Sequence, residues 1–321
     1  AKDEVVSADT KNLTVSSKVE GNVLAGGYTT DETVSGNKIT IVSGAEIATY
    51  TDASGEHGGY VYGGLSRNGA VTDNCVEMTG GAVTKNLLGG YSAGSGAVSN
   101  NTVTLSDGEV SGGVYGGQST GSGAVNSNTV TINGGSVASG IRGGQSAGGA
   151  VTGNTIDLNG GQVAGKAYAG YSNNGTVTGN TINLNGANGI DITKAWLYGS
   201  NATATGQNNN TLNIRNFKGR AQNIGNFDRI DLDLAGLTLR AGDPIIVLTE
   251  KETTRLGNST IHLHTAQKAI AHTNSALVPR YEVIKNKTDA GLTAENVKYE
   301  KGQITVREKG ALQALYKVEW D

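Results

Sequence analysis

The segment "NTVTL" alternates: Asn101, Val103 and Leu105 fall on one side, Thr102 and Thr104 on the other. Alternation with period two is the signature of a β-strand. The pattern returns along the chain. Its first apolar position reads Ile39, Val76, Val103, Val130, Ile156 and Ile182, and its second reads Ile41, Met78, Leu105, Ile132, Leu158 and Leu184. Two further columns hold Val34, Val71, Val98, Val125, Val151 and Val177, and then Ile47, Val83, Val110, Val137 and Val163. The positions between them are permissive. Lys38 and Cys75 replace Thr102, while Glu77, Asp157 and Asn183 replace Thr104. Uniform aliphatic columns beside variable polar ones define an interior and a surface.

Glycine punctuates the pattern. Gly-Gly pairs stand at 26–27, 63–64, 89–90, 116–117 and 143–144, followed by Ala169-Gly170; from Gly64 onward the step is 26 or 27 residues, against 37 from Gly27 to Gly64. An asparagine follows each second glycine by 10 or 11 residues, giving Asn37, Asn74, Asn101, Asn128, Asn154 and Asn180. A repeat this short cannot enclose a core alone and buries its aliphatic face on the next copy. The predicted fold is therefore all-β, a parallel β-helix or β-solenoid with one repeat per coil and neighbouring coils about 4.8 Å apart. The asparagine column faces inward where the coil bends, so stacked amides are expected to satisfy one another and the corner backbone. Glycines are expected at positive-φ corners. On the inner side of the Gly-Gly strand they should leave room for Tyr91, Gln118 and Tyr171.

Composition divides the chain near residues 196–212. Residues 1–200 hold 41 of the 50 glycines, with 9 Lys/Arg against 15 Asp/Glu; residues 201–321 hold the other 9 glycines, with 16 against 13. Residues 1–200 are expected to be the glycine-rich solenoid and residues 201–321 a less regular, more charged continuation, with the solenoid running over roughly residues 11–250 and an atypical C-terminal cap that shields the open edge. Within that cap, "NVKYEKGQITVRE" predicts a hairpin about "EKGQ", and "ALYKVEW" a closing strand with Trp320 over apolar surface. A net charge of −3 gives no electrostatic case for nucleic acid or an anionic membrane. One cysteine excludes an intrachain disulfide framework. No apolar run approaches the roughly 20 residues of a bilayer span, and "AKDEVV" lacks the charged-then-apolar pattern of a signal peptide.

Few residues suggest chemistry. His262 and His264 share a strand face, as do Asp231 and Asp233, but neither pair has a third partner nearby in sequence, so no metal, cofactor or catalytic residue is expected. The Thr102/Thr104 and Thr129/Thr131 pairs form too small a plane to bind ice, and Cys75 in the same outer column is expected to be exposed. Two features point to binding instead. The longer step before Gly64 contains "ATYTDASGEHGGY", an insertion expected to project and to present Asp52, Glu56, His57 and Tyr60 to a partner. Tyr62, Tyr115 and Tyr168 share an outward column with Leu88 and Arg142, a stripe suited to stacking on a sugar or a protein.

The repeat "VYGG.S..GAV..NTVT(L/I).GG.V", followed by "NIGNFDRIDLDLAGLTLRAGDPIIVLTE", resembles passenger domains of Gram-negative autotransporters (type V secretion) over about residues 20–250. The resemblance implies a β-helix displayed at the cell surface, anchored in the outer membrane in its full-length precursor, and acting in adhesion or aggregation. The expected partners are a host-surface protein or glycan, or a second copy of the chain. No nucleophile elbow of the G-x-S-x-G type is expected, so an adhesin is favoured over an enzyme. The competing expectations are a carbohydrate-active β-helix enzyme and a purely structural stalk.

Overall fold

The computed structural model describes residues 12–201, 205–238, 240 and 242–250, with short segments at 4–6, 254–255, 259–264, 283–286, 292–293, 298–299, 304–307 and 313–316. The chain is all-β and its parallel sheets form a solenoid of about nine turns of about 27 residues. One coil comprises Thr102–Val110, Val114–Ser119 and Val125–Asn126, and the next comprises Thr129–Ile132, Ser136–Val137, Ile141–Ser146 and Val151–Thr152. Each strand pairs in parallel with its counterpart one repeat on. Val103 lies beside Val130, Val110 beside Val137, Val114 beside Ile141 and Val125 beside Val151.

The aliphatic columns face inward and are buried throughout. One cluster runs from Val15 to Leu248, with a separate valine spine of Val71, Val98, Val125, Val151 and Val177. Each such side chain contributes about 1.5–3 kcal/mol relative to exposure, and it does so only because the next coil covers it.

The asparagines form a buried amide ladder. Asn37 Nδ2 donates to Asn74 Oδ1 at 2.9 Å, Asn74 to Asn101 at 3.0 Å, Asn101 to Asn128 at 3.0 Å, Asn128 to Asn154 at 3.0 Å and Asn154 to Asn180 at 2.9 Å. From Asn74 on, each Oδ1 also accepts a backbone N–H, as Asn128 does from Asn101 at 3.0 Å, and Asn128 Nδ2 reaches the Val98 carbonyl at 3.0 Å, whereas Asn37 Oδ1 at the head of the row is buried without a partner. Corner groups that would otherwise be orphaned are thus satisfied. The residue before each ladder asparagine has left-handed backbone, including Asp73 (φ 59°), Asn100 (φ 56°) and Ser127 (φ 55°). That conformation turns the chain into the next strand.

The ladder continues past Asn180, which donates to Asn210 Oδ1 at 3.1 Å, and it ends at Asp228, whose Oδ2 accepts from the Asn210 backbone N–H at 2.9 Å. It also explains the glycine pairs. A Cβ on Gly117 would lie 2.7 Å from Asn128 Nδ2, and one on Gly90 would lie 2.6 Å from Asn101 Nδ2. The room is for the ladder amide, and not, as the alternation suggested, for Tyr91, Gln118 or Tyr171.

Three further expectations are corrected. Gly26-Gly27 does not stack on Gly63-Gly64: Leu24 pairs with Tyr62 and Gly26 with Leu65 across a register shift, leaving buried Ala25 at the inner position. Parallel stacking also continues beyond residue 250, from Arg229–Asp233 to Thr260–His264 and on to Lys298–Tyr299. The antiparallel pair of the C-terminal segment is Ile304–Arg307 with Gln313–Tyr316, not the two runs flanking "EKGQ", because Lys298–Tyr299 is committed to the parallel sheet. Trp320 and His272 lie outside the described residues. The insertion is a hairpin, Glu46–Asp52 against Gly55–Gly58.

Candidate functional site

The Gly-Gly strands set up the outer surface. In a regular strand successive side chains alternate, yet Cβ atoms built on Gly116 and Gly117 both meet interior groups, Asn128 Cβ at 3.0 Å and Asn128 Nδ2 at 2.7 Å. Two consecutive residues facing inward require a bend. Tyr115 and Gln118, three residues apart, therefore both emerge on the outside, and half-buried rather than exposed. Stacked over the coils, this gives two converging outer ranks. One reads Leu24, Tyr62, Leu88, Tyr115, Arg142, Tyr168 and Tyr198, and the other Leu65, Tyr91, Gln118, Gln145 and Tyr171.

The ranks touch across the bend. Tyr62 meets Tyr91 edge-on with centroids 5.5 Å apart, Tyr168 meets Tyr171 edge-on at 5.2 Å, and Tyr168 stacks on Tyr198 at 5.4 Å. Between these aromatic groups lies Arg142, its guanidinium carbon 5.4 Å from the Tyr115 centroid, 5.9 Å from that of Tyr168 and 4.5 Å from that of Tyr171. Arg142 Nη1 donates to Gln145 Oε1, which also accepts from Gln118 Nε2 at 3.4 Å. From Tyr62 to Tyr198 the stripe rises five coil steps, about 24 Å at the usual interstrand spacing.

Tyr62 is not the open stacking platform that its outward column suggested. It is 6% exposed and Leu88 is 1% exposed, both in an external apolar cluster against which Tyr60, Tyr91 and Tyr115 pack, and Tyr28 lies edge-on to Tyr62. Burial pushes the Tyr62 phenol well above its ordinary pKa and raises that of Tyr168 as well, so both hydroxyls stay protonated donors.

At the N-terminal end of the stripe, the projecting hairpin walls a cleft of about 340 Å³ lined by Asn22, Tyr28, Tyr50, Glu56, His57, Gly58 and Tyr60. Tyr60 joins cleft to stripe, stacking on Tyr62 at 5.7 Å, while Tyr28, 47% exposed, meets Tyr62 edge-on at 6.0 Å. Of the insertion residues singled out in the sequence, Glu56, His57 and Tyr60 line this cleft, whereas Asp52 sits at the hairpin turn. Glu56 is ion-paired with Lys85 at 2.6 Å, which lowers its carboxyl pKa. Asp52 accepts from Ser54 Oγ at 2.6 Å and from the Ser54 backbone N–H at 2.8 Å, and these bonds hold its pKa down too.

Ser54, His57 and Asp52 lie within hydrogen-bonding distance of one another but are not a catalytic triad. A triad engages its serine and its acid on opposite imidazole nitrogens. Here Ser54 Oγ at 2.8 Å and Asp52 Oδ1 at 3.2 Å share the same His57 Nε2. The expected absence of G-x-S-x-G is also wrong as a statement about letters: it occurs at Gly90–Gly94, Gly117–Gly121 and Gly144–Gly148. Its serines face the interior. Ser92, Ser119 and Ser146 are buried inside the coil, and Ser146 Oγ donates to the Gly123 carbonyl at 2.8 Å while accepting from Gly149 N–H at 2.8 Å.

The remaining candidates are surface features. Asp231 is forked by Arg229 at 2.6 and 2.8 Å. The fold sets His262 beside Asp231 and His264 beside Asp233, a juxtaposition invisible in sequence, but no group of three metal-ligating side chains occurs among the described residues. The threonine column is longer than expected, running Thr102, Thr129, Thr155, Thr181 and Thr211, while its neighbour turns into the outer hydrogen-bonded run of Asp157, Asn183 and Asn213. Cys75 is half-buried, not exposed. No helix among the described residues is long and apolar enough to cross a membrane. Compared with protein-family profiles, curated proteins and solved structures, the chain matches none.

Proposed function

We propose that this chain is the binding segment of an extracellular adhesin, of the autotransporter-passenger type suggested by its repeat, and that its tyrosine–arginine stripe is the surface that meets the partner. The partner is a host glycan or protein, or a second copy of the chain, and no cofactor takes part. The observation that carries this reading is the stripe itself: aromatic, amide and guanidinium groups lined up over successive coils on a frame fixed by its own stacking. Aromatic and arginine side chains dominate binding energy where they are held rigid and partly desolvated, and repeated weak contacts along one axis act together. The reading is non-catalytic: Asp231 is tied to Arg229, and His57 receives both its partners on one nitrogen.

The test is adhesion of beads coated with the purified chain to glycan-decorated, protein-coated and chain-coated surfaces. Wild-type beads are expected to adhere to one of these, and the Tyr91→Ala/Tyr115→Ala/Tyr168→Ala variant to lose that adhesion while keeping its circular dichroism. Adhesion equal in the two proteins, or none with either, would refute the proposal.

A further inference from the structure

We infer that the Arg142 segment of the stripe recognises a carboxylate-bearing glycan laid along the solenoid axis; the inference rests on the binding reading above and adds its ligand class. Arg142 is a half-buried cation among three tyrosine rings, and no carboxylate lies within ion-pairing distance of it among the described residues. Other cations are either matched, as Arg67 is by Asp31, Arg229 by Asp231, Lys38 by Glu77 and Lys85 by Glu56, or exposed to water, as Arg215 and Arg220 are. Stacking against rings orients a guanidinium, and the edge donors that Gln145 does not take are left to a ligand, whose carboxylate a planar fork matches bidentately. The missing counter-ion is supplied by the partner.

The surroundings favour a sugar chain over an acidic peptide. Peptides that bind β-proteins in extended form add to a free sheet edge through main-chain hydrogen bonds. The stripe lies on a sheet face, where the backbone of Val114–Ser119 is already paired with Leu87–Ser92 on one side and Ile141–Ser146 on the other. Recognition there is by side chains alone. Tyr115 and Tyr168 flank Arg142 one coil away on either side, and Tyr115, on which no other tyrosine stacks among the described residues, offers aromatic surface to the C–H faces of pyranose rings. The amides of Gln118 and Gln145 offer donors and acceptors to hydroxyls. Ring-shaped units repeating along a line meet ring-shaped side chains repeating along a line.

Titration calorimetry with oligogalacturonate, its fully methyl-esterified form, polysialic acid and a polyglutamate peptide tests this directly. Wild-type chain is expected to bind at least one of the two acidic glycans; if that is the uronate, it should bind about tenfold or more tighter than its ester, the scale of a charge-assisted bidentate contact. Arg142→Gln should remove the preference for the charged form, and Arg142→Lys should restore only part of it. Tyr115→Ala should weaken every glycan that binds. Each variant should melt within a few degrees of wild type, since Arg142 and Tyr115 lie outside the core.

Binding of neither acidic glycan overturns the inference, as does a charge preference unchanged in Arg142→Gln. Polyglutamate binding as tightly as the glycans, and insensitive to Tyr115→Ala, overturns it in favour of simple charge attraction. If these titrations fail while bead adhesion remains sensitive to the triple tyrosine variant, only the ligand class falls. If that sensitivity is absent too, the binding reading falls with it.

Discussion

The two faces of one strand, Val114–Ser119, obey different rules. Inward, Gly117 lies against Asn128, and the ladder repeats asparagine without exception from Asn37 to Asn210. Outward, at the same coil spacing, the column through Tyr115 reads Leu88, Tyr115, Arg142, Tyr168. The difference is one of reciprocity. From Asn74 to Asn180 each ladder amide donates to the next and accepts from the one before, so a change at one coil leaves unmet groups at its neighbours. Neighbours in the outer rank need only touch, so ring, guanidinium and aliphatic side chains succeed one another without breaking a chain of donors.

The sharpest way to break that comparison is Asn128→Asp. The carboxylate keeps the acceptor for Asn101 but loses the donor to Val98 O and Asn154 Oδ1, and sets a buried charge beside two acceptors. Destabilisation of about 3–5 kcal/mol is expected, read by chemical denaturation, with loss of hydrogen-exchange protection centred on residues 98–154. Tyr115→Ala on the outer face of an adjacent strand should cost only about 1 kcal/mol. Equal costs would show that the ladder is no more demanding than the stripe. Next in size is Gly117→Ala, whose Cβ would meet Asn128 Nδ2 at 2.7 Å and Val98 Cγ1 at 2.8 Å, for an expected loss of about 1–3 kcal/mol by overpacking.

A smaller effect of opposite sign is expected at the corner. Ser127 has φ 55°, a left-handed conformation that disfavours residues with a Cβ. Ser127→Gly should stabilise by about 0.5–1 kcal/mol net of the added freedom of the unfolded chain, visible as a raised melting temperature. The smallest effect lies at the surface. Hydrogen bonds from Arg67 and then Asn68 lower the Asp31 carboxyl pKa to about 2 from an ordinary 3.8. A carboxyl depressed in the folded state favours folding above its unfolded pKa and loses that contribution as pH falls through the folded one. Asp31→Asn should therefore flatten the pH dependence of stability between about pH 4 and pH 2 and leave pH 7 stability little changed, because the pair is exposed.

The interior was legible in the sequence because stacking enforces it. Alternation in "NTVTL" and its copies placed Val103, Leu105 and Asn101 inside, and the 26- or 27-residue step fixed which copies touch. Asn210 escaped because its coil has Gly199-Ser200 in place of a glycine pair, although "NTLNI" repeats the pattern of "NTINL". The stripe was legible only by half. Alternation put Tyr62, Tyr115 and Tyr168 outside but sent Tyr91 and Tyr171 inward, since a strict period of two has no place for two successive inward glycines. The cover over Tyr62 by Tyr28 and Tyr60 depends on the hairpin and a shifted register, neither of which has a periodic signature.

The amide ladder also gives the molecule a polarity. From Asn37 to Asn180 each asparagine gives one Nδ2 hydrogen to the next amide on the C-terminal side, while from Asn74 on the other hydrogen reaches a valine carbonyl of the preceding coil, so the amide-to-amide bonds all run one way and polarise one another. The row's electropositive terminus is met by the carboxylate of Asp228, much as an acidic residue answers the amino end of an α-helix. A coil stacked in the reverse sense would set donor against donor, so the row admits one direction of growth only.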